Sequence, residues 1–211
     1  DISVVSGGAV SLSSNNAFTQ VGIGGQSTEG TKDATSISVV AENDITLTAG
    51  DNDQRYAQIG AGGHSAYGSS FTGDVSAVSN NGGVSVTASS LRNQSFAQIG
   101  HGGRFEDANG NYETGVMSGT VTVTAGGADS DVVIQGGGGT SYAQIGHGGY
   151  EAGDTGNGTA VMDGLIEIDA GRDLLITGGS VVAPANSNGY AQLGHGGTDA
   201  DGDLSGVIQV D

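Results

Sequence analysis

Short runs of alternating apolar and polar residues recur along the whole chain. This period of two, with many β-branched residues, is typical of β-strands that bury one face. The first kind of run, here called strand A, occurs at Ile2–Val5, Ile37–Val40, Val75–Val78, Val121–Thr124, Ile166–Asp169 and Ile208–Asp211. The second kind, strand B, occurs at Val10–Ser13, Ile45–Thr48, Val84–Thr87, Val132–Gln135 and Leu174–Thr177. Gly-Gly, Asn-Gly and Gly-Asp pairs predict turns between the runs, and no run has the period of an α-helix.

An eight-residue block that begins with an aromatic residue follows each strand B, and we call it strand C. One copy reads Tyr142-Ala-Gln-Ile-Gly-His-Gly-Gly149. The five copies occupy residues 18–25, 56–63, 96–103, 142–149 and 190–197, so successive copies begin 38, 40, 46 and 48 residues apart. The chain therefore contains five copies of one repeat.

Three short strands per repeat, with loops of variable length between them, favour a solenoid over a β-propeller, whose blades need four strands. We predict an all-β fold, a parallel β-solenoid (β-helix) with one three-stranded coil per repeat of 35–48 residues and about five coils. The apolar positions predict the interior columns, for example Val121, Val123 and Ala125 in strand A and Ile45, Leu47 and Ala49 in strand B. We expect residues 1–211 to be a single solenoid segment and an excerpt of a longer array, because natural arrays protect their end strands.

The composition limits which partners the chain could bind and which reactive groups it contains. The chain has 211 residues, 42 glycines, no cysteine and a net charge of −18. One lysine and four arginines cannot neutralise a phosphate backbone, so we expect no nucleic acid partner. No stretch approaches the roughly 18 consecutive apolar residues of a membrane span, so we expect a chain that is not membrane-spanning. Disulfides and thiol chemistry are excluded because cysteine is absent.

The junction between strands A and B resembles a motif of a known family. Residues 168–179, Ile-Asp-Ala-Gly-Arg-Asp-Leu-Leu-Ile-Thr-Gly-Gly, and residues 41–50 are similar to the Ala-Gly-Gly-Asp-Leu-x-Leu-x-Ala-Gly phrase of filamentous-haemagglutinin-like adhesins. The resemblance covers strands A and B, about half of the chain. It implies a large, secreted bacterial protein at the cell surface, built as a right-handed β-helix. The family's coil is about half as long as these repeats, and strand C is not part of its motif.

We therefore expect a structural or adhesive repeat segment of a secreted, extracellular cell-surface protein, with no enzymatic activity. Its partners would be other copies of itself or a cell-surface or carbohydrate receptor. One alternative is a self-assembling extracellular fibre subunit. A more distant alternative is a carbohydrate-active β-helix enzyme, for which Glu167 and Asp169 on strand A, near Arg172, are the candidate carboxylates.

Acidic loops after strand C suggest calcium as a candidate cofactor. Oxygen ligands alternate around a glycine in two loops, formed by Asp199, Asp201 and Asp203 and by Asp107, Asn109, Asn111 and Glu113. Calcium takes 6–8 oxygen ligands, so this spacing suits it. The alternative is that these are solvated acidic turns.

Histidine fills one position of strand C in the last three repeats, as His101, His147 and His195, where the first two repeats have Ile23 and Ala61. In-register stacking would place the three imidazoles in a column. Such a column could hold a transition metal, or each neutral ring could simply bond to a turn carbonyl.

One face of strand C should point inward, through residues such as Ala57 and Ile59. The opposite face repeats an aromatic residue and a glutamine in successive copies, which makes it more apolar and more regular than a face in contact with solvent. Its residues are Tyr56, Gln58, Phe96, Gln98, Tyr142, Gln144, Tyr190 and Gln192. Either long loops such as residues 181–189 fold over it, or a second solenoid packs there. We favour the partner, which would make these residues an assembly face.

Overall fold

The structure is a computed structural model, and it describes residues 1–28, 30–31, 33, 36–65, 68–91, 94–105, 114–153, 160–179 and 189–211. Throughout these ranges the regular secondary structure is β-strand, and every strand pairing is parallel. The expectation of an all-β chain is confirmed. These ranges contain no helix that could cross a membrane.

The described residues form strands β1 to β23, numbered in chain order, in five sheets that we call A to E. Sheet A contains β1 (Ile2–Ser6), β4 (Ser36–Ala41), β9 (Asp74–Ser79), β14 (Val121–Ala125), β19 (Leu165–Ala170) and β23 (Val207–Val210). Sheet B contains β2 (Val10–Ser13), β5 (Ile45–Thr48), β10 (Val84–Thr87), β15 (Val132–Gln135) and β20 (Leu174–Thr177). Sheet C contains β3 (Thr19–Val21), β6 (Tyr56–Ile59), β11 (Phe96–Ile99), β16 (Tyr142–Ile145) and β21 (Ala191–Leu193).

Two further sheets follow sheet C along the chain, and we call their strands strand D and strand E. Sheet D contains β7 (Gly62–His64), β12 (Gly102–Arg104) and β17 (Gly148–Tyr150). Sheet E contains β8 (Gly68–Thr72), β13 (Thr114–Ser118), β18 (Val161–Asp163) and β22 (Asp203–Leu204). The expectation of three strands per repeat was therefore wrong for the second to fourth repeats, where the last two glycines of the strand C block begin a strand D and the segment before the next strand A supplies a strand E.

Equivalent residues of successive repeats pair without any offset. Phe96 of β11, for example, lies between Tyr56 and Tyr142, its counterparts in the preceding and following repeats. In every sheet the strands follow one another in chain order. The repeats are therefore stacked rungs, and neighbouring rungs are about 4.8 Å apart. This arrangement is compatible with a β-solenoid-like fold.

The main core lies between the sheets and is built from columns of identical or similar apolar side chains. The columns predicted from strands A and B are in it, with Val121, Ile45 and Leu47 fully buried. Sheet E adds a column that the alternation alone did not reveal, formed by Phe71, Met117 and Met162.

Candidate functional site

The aromatic residues that open strand C form a continuous stack, buried at its centre and exposed at Phe18: Phe18, Tyr56, Phe96, Tyr142 and Tyr190. Adjacent ring centroids are 4.8–5.2 Å apart, and adjacent planes are tilted by only 2–6°. The three central rings are at most 1% exposed. They form a second hydrophobic cluster, separate from the main core.

The glycine pair at the end of each strand C block covers this stack. A Cβ added at Gly63 would lie 2.7 Å from Tyr56 Oη, and one added at Gly149 would lie 2.5 Å from Tyr142 Oη. The chain therefore turns back after strand C, and strand D lies over the ring of its own repeat. Glycine is needed at these positions because both have a positive φ and an added Cβ would overlap first a carbonyl oxygen of the preceding repeat, Gly25 O or Gly103 O, and then the tyrosine hydroxyl.

The glutamines of strand C join neighbouring repeats from within the same buried layer. The amide nitrogen of Gln98 lies 3.0 Å and 3.2 Å from the carbonyl oxygens of Gly146 and Gly148 in the next repeat, and donates to them. Gln58 and Gln144 make the equivalent bonds to the repeats that follow them. All three side chains are fully buried. They give these buried glycine carbonyls a side-chain donor from the preceding repeat.

The prediction that this face is an assembly surface is therefore wrong. Six of its members are at most 1% exposed in the single chain: Tyr56, Gln58, Phe96, Gln98, Tyr142 and Gln144. The remaining two, Tyr190 and Gln192, are half-buried. The covering comes from the last two glycines of the strand C block, with which strand D begins. Of the loop expected as an alternative cover, residues 181–189, all but Gly189 lie outside the described residues.

The three histidines of strand C form the predicted column. The rings of His101 and His147 are 5.0 Å apart and tilted by 8°, and those of His147 and His195 are 5.0 Å apart and tilted by 11°. The backbone N–H groups of Ala61, His101 and His147 donate to Nδ1 of the histidine in the following repeat, at 3.1–3.2 Å.

These bonds determine the protonation state of each ring. A backbone N–H can only donate, so Nδ1 must be unprotonated and Nε2 must carry the proton. Nε2 accordingly donates to a glycine carbonyl, 2.8 Å away at Gly73 for His101 and 3.0 Å away at Gly119 for His147. All three histidines are therefore neutral.

Burial is the main cause of lowered pKa values in this column. It lowers the pKa of His101 and of His195, and it holds the pKa of His147 well below the usual value. The carboxylates of Asp74 and Asp33 partly oppose the effect at His101. His147 has histidines on both sides, and their charge would lower its pKa further.

The column does not have the features of a metal site. Both nitrogens of each ring are engaged by the backbone, so neither is available as a ligand without the loss of a hydrogen bond. Throughout the described ranges, no group of three or more His, Cys, Asp or Glu side chains could hold a metal ion. The structure thus shows the other interpretation, a neutral histidine bonded to a turn carbonyl.

The structure gives no support to the calcium interpretation of the last acidic loop. Asp199, Asp201 and Asp203 are exposed and do not form a metal-binding group. Asp203 opens strand β22, and Asp201 Oδ1 accepts a hydrogen bond from the backbone of Gly202 at 2.9 Å. The other predicted calcium ligands, Asp107, Asn109, Asn111 and Glu113, lie outside the described residues.

The candidate carboxylates for catalysis lie on the outer face of sheet A. Glu167 and Asp169 line a shallow depression of about 240 Å³ together with Thr122, Thr124 and Asp211. Glu167 accepts a hydrogen bond from Thr122 Oγ1 at 3.3 Å. The arrangement offers acceptors to a hydroxylated ligand, but Arg172 is bonded to Asp131 rather than to this pair.

Sequence reasoning missed sheets D and E, although one of them has a repeated signal. Phe71-Thr-Gly, Met117-Ser-Gly and Met162-Asp-Gly each precede a strand A by the same interval. Their large apolar residues are fully buried. Strand D has no comparable signal, because glycines carry no apolar side chain.

Comparisons with protein-family models, with curated proteins and with solved structures found no match to this chain.

Replacing Tyr142 with alanine is expected to lower the free energy of unfolding by roughly 3–5 kcal/mol, because the change leaves a cavity in the middle of the stack. Tyr142→Phe is the matched control, since Phe18 and Phe96 already occupy equivalent positions of the same stack. We expect this control to cost about 1 kcal/mol or less. Urea unfolding followed by far-UV circular dichroism measures both. Equal losses for the two variants would contradict a role for ring packing.

Proposed function

We propose that the chain is a stretch of parallel β-solenoid that serves as a structural and adhesive section of a large, secreted bacterial cell-surface protein. The observation that carries the proposal is the pairing of every strand with its counterpart in the next repeat without offset. Such a stack can be lengthened by adding repeats, because each repeat contacts only its neighbours. The resemblance of strands A and B to filamentous-haemagglutinin-like adhesins supports the cellular setting.

The interior supports a stiff section rather than a flexible linker. The aromatic stack, the buried glutamines and the histidine column each cross several repeats. Bending the stack would separate rings and lengthen hydrogen bonds in all three columns at once. A section of this kind can hold a binding surface away from the cell.

A self-assembling extracellular fibre subunit is a second candidate. It draws on the same observation, because parallel strands that stack without offset can also pair with strands of another copy.

Surface display tests the adhesive role. The chain is fused to an outer-membrane anchor on a non-adherent bacterium, and the retention of cells on epithelial monolayers and on polysaccharide-coated glass is measured under flow. We expect retention several-fold above that of cells displaying the anchor alone. Retention equal to the anchor on every surface would refute the adhesive role. Release of reducing sugar from a polysaccharide by the purified chain would instead identify the more distant candidate, a carbohydrate-active enzyme.

A further inference from the structure

The outer face of sheet B carries no charged side chain. We call it the sheet B strip, and it consists of Ser11, Ser13, Thr46, Thr48, Ser85, Thr87, Val133, Gln135, Leu175 and Thr177. Seven of these ten residues carry hydroxyl groups. All ten are exposed or half-exposed. Because the strands pair without offset, the side chains form two columns that cross the strands.

The charges of the chain lie beside this strip rather than on it. The net charge is −18, yet the nearest carboxylates stand in the turns that lead into the strands. Asp44, Asp131 and Asp173 each immediately precede a strand of sheet B. The strip is therefore a neutral, hydroxyl-rich surface with a border that is acidic overall, where Arg172 pairs with Asp131 and Asp173 and leaves Asp44 without a cationic partner among the described residues.

A shallow depression of about 310 Å³ connects the border with the strip. Thr46, Ser85 and Val133 lie on the strip side of its lining, and Asp44 and Asp129 lie on the border side. Asp44 is held in place, because its Oδ1 accepts a hydrogen bond from the backbone of Gly83 at 2.9 Å. Its second carboxylate oxygen is free to accept a hydrogen bond from a ligand.

The size of the strip argues against a second copy of the chain as its occupant. Five strands about 4.8 Å apart and four residues of about 3.3 Å each give an area of roughly 300 Å². A stable protein interface buries about 800 Å² on each partner. The strip is better suited to a ligand that repeats the same small contact along its length.

The charge pattern indicates which repeating ligand fits. An anionic polymer would be repelled by the acidic border, and a cationic one would bind to acidic turns everywhere on the chain. A neutral polymer is not repelled at the border, and the strip offers it seven hydroxyl groups in two columns. We propose that the sheet B strip binds a neutral polysaccharide, which runs across the strands along the stacking direction and donates sugar hydroxyls to Asp44 and Asp129. This inference rests on the proposed adhesive function and names its class of partner.

Co-sedimentation with insoluble polysaccharides tests the proposal. The probes are microcrystalline cellulose, curdlan, insoluble mannan and starch granules, with calcium alginate beads as the anionic comparison. The test variant is Thr46→Glu with Ser85→Glu, which places bulky, hydrated groups on two residues that pair in the strip. The matched control is Ser38→Glu with Ser76→Glu, the same change on two paired residues of the outer face of sheet A.

We expect the parent to bind at least one neutral polysaccharide and to bind alginate at least tenfold less. The strip variant should lose at least tenfold in bound fraction, and the control should stay within twofold of the parent. Far-UV spectra and unfolding midpoints must show that both variants fold. A parent that sediments with none of the four neutral polysaccharides overturns the proposal, as does a folded strip variant that binds like the parent.

Light scattering tests the other possible occupant of the strip, a second copy of the chain. A parent that is a dimer and a strip variant that is a monomer would make the strip an interface between copies and overturn the proposal. A negative result for the strip does not by itself refute the proposed adhesive function. If the chain binds no neutral polysaccharide but displayed cells are still retained under flow, this inference fails and the proposed function stands.

Discussion

Acidification from about pH 6.5 to about pH 5 is expected to destabilise the protein through its histidine column. Buried, neutral His101, His147 and His195 have pKa values below that of free imidazole. The unfolded chain binds protons as the pH falls below about 6.5, and the folded chain does not until a lower pH. The stability that the neutral rings provide is therefore complete above the unfolded pKa and is lost as the pH falls below it.

The effect follows from the linkage between protonation and unfolding. While a folded ring stays neutral and the same histidine of the unfolded chain takes up a proton, the free energy of unfolding falls as the pH falls. His147 has the largest lowering and should contribute most. A protonated ring would also point an Nδ1–H group at the backbone N–H of His101, which now donates to it.

Urea unfolding at several pH values measures this slope. His147→Ala is the matched control, because Ala61 fills the equivalent position of the second repeat. We expect the variant to be less stable than the parent at neutral pH and to lose less stability between about pH 6.5 and pH 5. Most carboxylates are still ionised in this range, so the difference between the two slopes isolates the histidine. Identical slopes would contradict a neutral, buried His147.

Replacing Gly100 with alanine is expected to have an effect of similar or larger size. Gly100 has a φ of +137°, which side chains rarely adopt, and an added Cβ would overlap the carbonyl oxygen of Gly146 in the next repeat. The obstacle is backbone held in a strand stack, so neither side can move easily. We expect a loss of more than about 3 kcal/mol in the free energy of unfolding.

Gly178→Ala is the control for this change, because nothing lies within 4 Å of a Cβ added there. We expect it to change the free energy of unfolding by no more than about 1 kcal/mol. Alanine lowers the conformational entropy of the unfolded chain relative to glycine, and this gain offsets small losses in the folded state. Thermal unfolding distinguishes the two variants. A Gly100→Ala protein as stable as Gly178→Ala would mean that successive repeats are not in close contact at this position.

Several features of this protein follow from the sequence alone. The alternation in strands A and B predicts their inward columns, and Val121, Ile45 and Leu47 are indeed buried. The recurrence of the eight-residue block predicts the stacking of repeats in register, because a slip of one residue would move the apolar face outward. The histidine column also follows from this register.

The tertiary structure decided what lies on either side of strand C. An aromatic and a glutamine on one face have the same sequence pattern whether they are exposed or covered. Strand D covers them, yet its glycines carry no hydrophobic signal that could predict a strand. Likewise, the spacing of Asp199, Asp201 and Asp203 describes distance along the chain, whereas a metal site requires convergence in space.

The physical reason for this division is the range of the forces involved. The alternation of apolar and polar residues along a strand sets whether each side chain points inward or outward. This preference depends only on neighbouring residues and on the equivalent strands of adjacent repeats. Burial of polar groups depends on whether another segment arrives with matching donors and acceptors. The backbone of Gly146 and Gly148 meets the amide of Gln98 only after the chain has turned back on itself. The sequence by itself therefore determined the period and the columns, and only the folded chain decided which columns face water.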